Sequence, residues 1–380
     1  MIPAKDVAKL TNALPFWLSL TFIPFFLLAW SYGGMAVLLI PFYSWGLYGF
    51  LDVLTGLNTS NNDLETTDDQ LFWYRLITMI WFPVQAIIVF GSIWVVAHVD
   101  GFAVWEKVLL FFGVGVASGT IGINYSHELM HQKNRLERAL GDALLAMVLY
   151  GHFRSEHLLV HHSYVGTPRD PVTARYNEGF HRFFPRVLVQ CFQSALRAEK
   201  AMLARKGETA WSLNNPFYLY AGVQGLMLLL AFALGGWLGV VLFVFQAFVA
   251  IWQLELVNYV EHYGLTRKYL GDGRYEHVRP HHSWNSAHRF SNWLLINLQR
   301  HSDHHYKPDR RFPLLQNYSA AEAPQLPQGY PMMTALAMIP PLWRRRMNPR
   351  VRRWRTMFYP EITDWAPYTA AENPQPRGAS

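Results

Sequence analysis

The sequence predicts an all-α integral membrane protein, with six transmembrane helices under a cytoplasmic helical cap that holds a histidine-rich site. Three observations predict it. The 380-residue chain is 51% hydrophobic and only 16% charged, where soluble domains carry about 25% charge. The missing charge is concentrated in apolar runs of the length that crosses a bilayer, roughly 17–25 residues. Nine of the 16 histidines fall in four short clusters at the ends of such runs.

The spans are expected at Leu14–Ser31, Met35–Leu54, Leu71–Ala97, Ala103–Ile123, Phe217–Leu234 and Trp237–Val257. Trp and Tyr recur at their ends, as interfacial aromatics do. Lys5 and Lys9 precede the first run without a short apolar core and small-residue cleavage site after it, so the first span is expected to stay uncleaved. Three connections are minimal: Tyr32-Gly33-Gly34, His98 to Phe102, and Gly235-Gly236. They carry no Lys or Arg, and Lys107 is the only base near that side. Nearly all 33 Lys and Arg lie on the other side, with both termini and all nine clustered histidines. The positive-inside rule makes that side cytoplasmic, and the net charge of +7 faces the anionic leaflet. The histidine clusters and both termini are therefore expected on the cytoplasmic side.

The chain divides at 1–124 (four spans), 125–215 (cytoplasmic), 216–257 (two spans), 258–360 (cytoplasmic) and 361–380. Leu136 to Tyr150 has a helical apolar pattern with Gly141 as its weak point. From about 170 to 212, bases alternate with apolar residues, the pattern of helices lying on a membrane surface. Trp343 to Arg355 mixes seven arginines with two tryptophans. It suits lipid headgroups or an acidic protein partner whose coupling would be salt-sensitive, and not nucleic acid. The Pro-, Ala- and Gly-rich tail over 361–380 reads as flexible or as a linker. The single cysteine, Cys191, excludes an internal disulfide, Cys-ligated zinc or an iron–sulfur cluster, and itself reads as a packing residue.

The clusters are His127-Glu-Leu-Met-His131, His157-Leu-Leu-Val-His161-His162, His262 at the end of the last span, and His301-Ser-Asp-His304-His305. Spacings of three and four place imidazoles on one helical face. His127-Glu128-x-x-His131 alone matches the zinc-protease motif. A protease needs one further ligand, whereas here at least six histidines remain. Nine nitrogens divide into four or five per ion, too many for one zinc. Imidazole suits iron, and the lack of a thiolate removes blue copper. Two irons so bound keep positions open for dioxygen. Glu128, Glu156, Asp170, Glu261 and Asp303 lie near the clusters and are expected to accept ring N–H groups and fix their tautomers. Spacing does not demand His152, His277, His281, His282 or His288. The pair His281-His282 is expected to support or gate the site. His98 takes no role and His181 is expected at the surface.

The ordered set resembles the integral-membrane di-iron alkane 1-monooxygenases, which belong with the membrane fatty-acid desaturases and xylene monooxygenases. Asn258-Tyr-Val-Glu-His-Tyr-Gly264, Leu298-Gln-Arg-His-Ser-Asp-His-His305 and Tyr275-Glu-His-Val-Arg-Pro-His-His-Ser-Trp-Asn285 are similar to that branch over roughly residues 14 to 345. The resemblance implies terminal hydroxylation of n-alkanes with dioxygen. It implies metal ligands His127, His131, His157, His161, His162, His262, His301, His304 and His305, with no catalytic side chain beyond them. It also implies two electrons from rubredoxin, itself reduced by a rubredoxin reductase. An alkane partitions into the bilayer and lacks a polar handle, so specificity must come from the shape of an apolar channel. Trp45, Leu47 and Phe50 on the second span are expected to line it. A desaturase or another lipid or aromatic-methyl hydroxylase would share the irons. A membrane zinc protease would hold one zinc. A metal transporter would place its histidines at the bilayer midplane.

Overall fold

The computed structural model describes residues 1–369. Apart from one short hairpin, Tyr269–Gly271 with Arg274–Tyr275, its regular structure is helical. Five helical stretches are long and apolar enough to cross a membrane: α1 Leu10–Tyr32, α2 Gly34–Thr55, α3 Asp68–His98, α4 Val104–Met130, and a 47-residue stretch, Pro216–His262. A straight helix of that length would run about 70 Å, over twice the hydrocarbon thickness. It is instead broken at Gly235 and Gly236, whose dihedrals are non-helical, with φ 57° at Gly236. A Cβ on Gly239 would lie 2.4 Å from the Ala231 carbonyl oxygen, so the two limbs pack side by side at the break.

Between α4 and that stretch lie α5 Arg135–Ala146 and α6 Phe180–Arg205. The side chain of Asn134 caps α5 by accepting from the Leu136 and Glu137 N–H groups. Gly141 is a packing point on α5: Ser126 Oγ donates to its carbonyl at 2.8 Å. Helix α6 buries Phe180, Phe183, Val187 and Cys191 along one face and exposes Arg182, Arg197, Lys200 and Arg205 on the other. The broken stretch is α7, followed by α8 His301–Tyr306, α9 Tyr330–Ala337 and α10 Pro340–Phe358.

Helices α4 and α7 meet along a seam of glycines. A Cβ at Gly115 would come within 2.6 Å of the Gln246 carbonyl oxygen, and one at Gly119 within 2.8 Å of the Ala250 carbonyl oxygen. Small residues four apart allow this close approach of backbones. The seam brings the ends of both helices, and hence His127 and His262, to one place. Around them Arg311 joins Asp68 (2.7 Å) and Glu137 (3.0 Å), while Arg75 also holds Glu137 (2.6 Å). This tie bolts the start of α3, α5 and the loop after α8 together.

The arginine-rich segment is helical, with its tryptophans packed inward. Trp343, Met347, Val351 and Trp354 form the buried stripe of α10, and Arg345, Arg346, Arg352 and Arg353 are exposed. The segment 361–369 is not a loose tail. Trp365 packs on Trp354 and Tyr359, and Lys268 pairs with Glu361. Ile362 and Trp365 are partly buried against the cluster that holds Trp354 and Tyr359. The rest of the expected tail, 370–380, lies outside the described residues.

Candidate metal centre

The four clusters converge. Helix α4 carries His127 and is followed by His131, residues 153–164 carry His157, His161 and His162, α7 ends in His262, and α8 supplies His301, His304 and His305. Their ring nitrogens form two groups. His127, His131, His157, His162 and His304 make one, and His161, His262, His301 and His305 the other.

The division follows from the backbone. In an α-helix His157 and His161 share a face, while His157 and His162 would be about 140° apart. Residues His157–His161 instead form a π-helical turn, which brings residues five apart toward register. His157 and His162 then face each other with Nε2 atoms 2.9 Å apart. His161 turns to the second group, its ring against His262 and His305.

The spacing fits metal ions of high coordination number. Within the first group, Nε2 atoms lie 3.0 Å apart for His131 and His157 and 3.1 Å for His162 and His304. In the second the distances are 3.1 Å for His262 and His301 and 3.0 Å for His301 and His305. Nitrogens about 2.1 Å from an ion sit about 3.0 Å apart at right angles and about 3.4 Å apart in a tetrahedron. The observed contacts are short enough for several imidazoles in each group to converge on one ion. Burial, reinforced by neighbouring imidazoles, holds His157, His162, His301, His304 and His305 well below the usual histidine range, and burial brings His131 down to about 3. Neutral rings are what a metal requires.

The expected supporting residues separate. Asp170 Oδ2 sits 3.0 Å from His161 Nδ1, leaving the buried Nε2 without a protein partner. That pairing aims a ligand at a metal. Glu261 Oε2 lies 3.2 Å from His301 Nε2. Glu128 bonds to Gln132 and the Phe312 N–H, and Asp303 to Arg310, Tyr318 and the Gln316 N–H, so these two brace the surrounding loops. Glu156 is fully buried beside His157. His281 and His282 stand apart in a cluster with Glu276 and Tyr359. His152 packs on Tyr150 and Phe192, His181 meets the Met338 carbonyl, and His288 meets Ser286.

A mostly apolar cavity adjoins the centre. Trp45, Ile123, Phe153, Leu254, Val257 and Leu295 line it, together with His127, His157, His301 and Glu261. Trp45 lines this cavity, whereas Leu47 and Phe50 do not. Around the π-helical turn Phe42–Leu47, Ser44 and Trp45 face the cavity, while Phe50 is 59% exposed on the outer face of α2. The wider turn shifts the helical phase that a regular 3.6-residue period predicts. Sequence reasoning missed Tyr330 and Tyr359, which carry no motif, gave Glu276 no role although it lies in the Tyr275–Asn285 run, and missed the glycine seam of α4, visible as Gly115-x-x-x-Gly119.

The fatty acid desaturase family profile matches residues 103–337, which contain all nine histidines. The chain is 40% identical over 316 residues to alkane 1-monooxygenase 1 of Pseudomonas aeruginosa, covering 81% of each chain. It is 38% identical over 332 residues to alkane 1-monooxygenase 2 of Alcanivorax borkumensis, covering 82% of this chain and 84% of that one. The chain belongs to the fatty acid desaturase family, in its alkane monooxygenase branch. Membership in that branch makes it a multi-pass membrane oxidoreductase of the monooxygenase class, and the histidine groups suit non-haem iron.

Proposed function

We propose that this protein hydroxylates the terminal carbon of n-alkanes to 1-alkanols, using dioxygen at two irons and two electrons from rubredoxin. The observation that carries the proposal is the apolar cavity lined by His127 and His157 of one group and His301 of the other. His127, His131, His157, His162 and His304 would hold one iron, and His161, His262, His301 and His305 the second. The irons, when bound, supply dioxygen activation, chemistry no side chain here can provide. The protein does the rest. Trp45, Leu254 and Val257 hold a saturated chain by shape alone. The cavity's end presents one terminal carbon to the ligand cluster, and burial of the ligand rings keeps bulk water out. Asp170 fixes the tautomer of His161.

The site lies on the cytoplasmic side of a bacterial inner membrane, with six crossings, the last two being the limbs of α7. The base-free connections on the opposite side support this orientation. An acidic donor such as rubredoxin would meet the exposed Arg345, Arg346, Arg352 and Arg353 of α10.

The test is metal content and dioxygen-dependent octane turnover on one purified preparation supplied with rubredoxin. Two irons per chain and 1-octanol are expected. One zinc without oxygen consumption would overturn the proposal, and an alkene product would place the enzyme with the desaturases. Trp45→Ala is expected to shift the product profile toward longer alkanes, whereas Phe50→Ala leaves it unchanged.

A further inference from the structure

We infer that a groove between the π-helical turn His157–His161 and helix α6 binds the headgroup of an anionic phospholipid, and that this lipid steadies the turn. The groove measures about 710 Å³, within the roughly 300–1,000 Å³ of small-ligand sites. Leu158, Leu159 and Val160 of the turn line it. So does a stripe of α6 carrying Ser194, Arg197, Ala201 and Arg205, three or four residues apart and hence on one face. Arg169, from the loop after the turn, joins them.

Charge selects an anion. Three arginines line the groove and no Asp or Glu does. Arg154 and Arg186 nearby pair with Asp142 and Glu178, whereas among the described residues no carboxylate pairs with Arg169, Arg197 or Arg205. Guanidinium forks of this kind suit a phosphate, which accepts two N–H groups at once. Position selects a lipid as its source. A second depression shares Leu158, Leu159 and Met202 with the groove and continues to Pro216, Leu219 and Tyr220, in the first turns of α7. The groove therefore meets a membrane span where that span enters the bilayer. Phe192 and Leu219 are exposed there, and on the connection from α6 to α7 Trp211 is 83% and Leu213 90% exposed. Large apolar side chains so bare suit lipid and not water. The acyl chains then follow the leucines while the phosphate stays on the arginines. A ligand that binds only the native turn stabilises it by mass action, and this is the turn that sends His157 and His161 to different groups.

The test uses the purified chain in nanodiscs of phosphatidylcholine alone, or of equal parts phosphatidylcholine and phosphatidylglycerol. Native mass spectrometry is expected to find phosphatidylglycerol bound to the wild type. Arg197→Gln combined with Arg205→Gln should weaken that binding by about fivefold for each arginine removed. Arg345→Gln combined with Arg346→Gln, on α10, should leave it unchanged. Hydrogen exchange over residues 157–164 should slow with phosphatidylglycerol in the wild type and not in the Arg197 and Arg205 variant. Equal exchange in both bilayers would overturn the coupling to the turn. Free glycerol 1-phosphate that displaces the lipid at equal concentration would assign the groove to a soluble phosphate and overturn the inference. So would an Arg197 and Arg205 variant that keeps its lipid and loses turnover only at limiting rubredoxin, the mark of a protein-docking surface. Should that variant fail to fold, the wild type decides. A diazirine-bearing phosphatidylglycerol should label residues 158–171 and 190–206, and labelling confined to other segments would overturn the site.

Discussion

Two regions of this molecule bring imidazoles and a carboxylate within hydrogen-bond reach, and they do so for opposite ends. In the nine-histidine centre, Nε2 atoms face one another, with no group between them to supply protons. In the cluster of Glu276, His281, His282 and Tyr359, a phenol occupies the middle. The Arg279 N–H donates to His282 Nδ1 at 2.9 Å, so Nε2 carries the ring proton and donates to the Tyr359 oxygen at 2.6 Å. His281 Nε2 reaches the same oxygen at 3.1 Å, and the Tyr359 hydroxyl donates to Glu276. That network satisfies itself. It clasps α10 to the loop before Trp284, with Trp354 Nε1 donating to the His281 carbonyl at 2.7 Å. Proximity of histidines therefore does not define a metal site. What defines it is whether their nitrogens meet one another or a partner with a proton to give.

The sharpest way to break the comparison is to delete one ring from each cluster. His162→Ala is expected to leave at most one iron per chain and to cut hydroxylation by about 100-fold or more, read by metal analysis and product formation. His281→Ala should keep both irons. Comparable iron loss in the two variants would erase the distinction.

Asp170→Asn should weaken iron binding by about 10–100-fold, the usual consequence of losing the group that orients a ligand. Asp303→Asn, whose carboxylate touches no ring, should change iron affinity much less. Chelator competition on the two proteins measures the difference.

In the second cluster, Tyr359→Phe removes a buried hydroxyl that three groups share. A loss of about 1–3 kcal/mol of stability is expected, with iron content unchanged, read from denaturant unfolding.

The smallest effect should come from acid. Burial brings His281 down to about 3, so the folded chain resists a proton that the unfolded chain accepts near pH 6.5. The associated stability is full above about 6.5 and is lost as pH falls toward 3. For Glu276, burial pushes the carboxyl up, but hydrogen bonds from His282 and Tyr359 outweigh it and bring the group to about 2. Its contribution is full above about 4.5 and is lost as pH falls toward 2. Hydrogen exchange over residues 340–369, corrected for intrinsic rates, should therefore quicken from pH 7 to pH 4. Equal protection at both values would show that the clasp does not depend on these groups.

Much of the protein was legible in its sequence. Apolar runs of bilayer length and missing charge set the class, because burial in lipid tolerates little else. The spacings within His127–His131 and His301–His305 set which rings share a face, because one helical turn brings them together. Tertiary structure decided what local spacing cannot encode. The π-helical turn sent His157 and His161, four residues apart, to different groups. Another π turn admitted Trp45 to the cavity and left Phe50 outside. The glycine seam joined α4 to α7, and with it His127 to His262, across 135 residues of chain. Asp170 reached a ring and Asp303 did not, although both lie close to a histidine cluster in sequence. Periodicity specifies the face of one helix, whereas the partner of that face is set by how closely two backbones can approach.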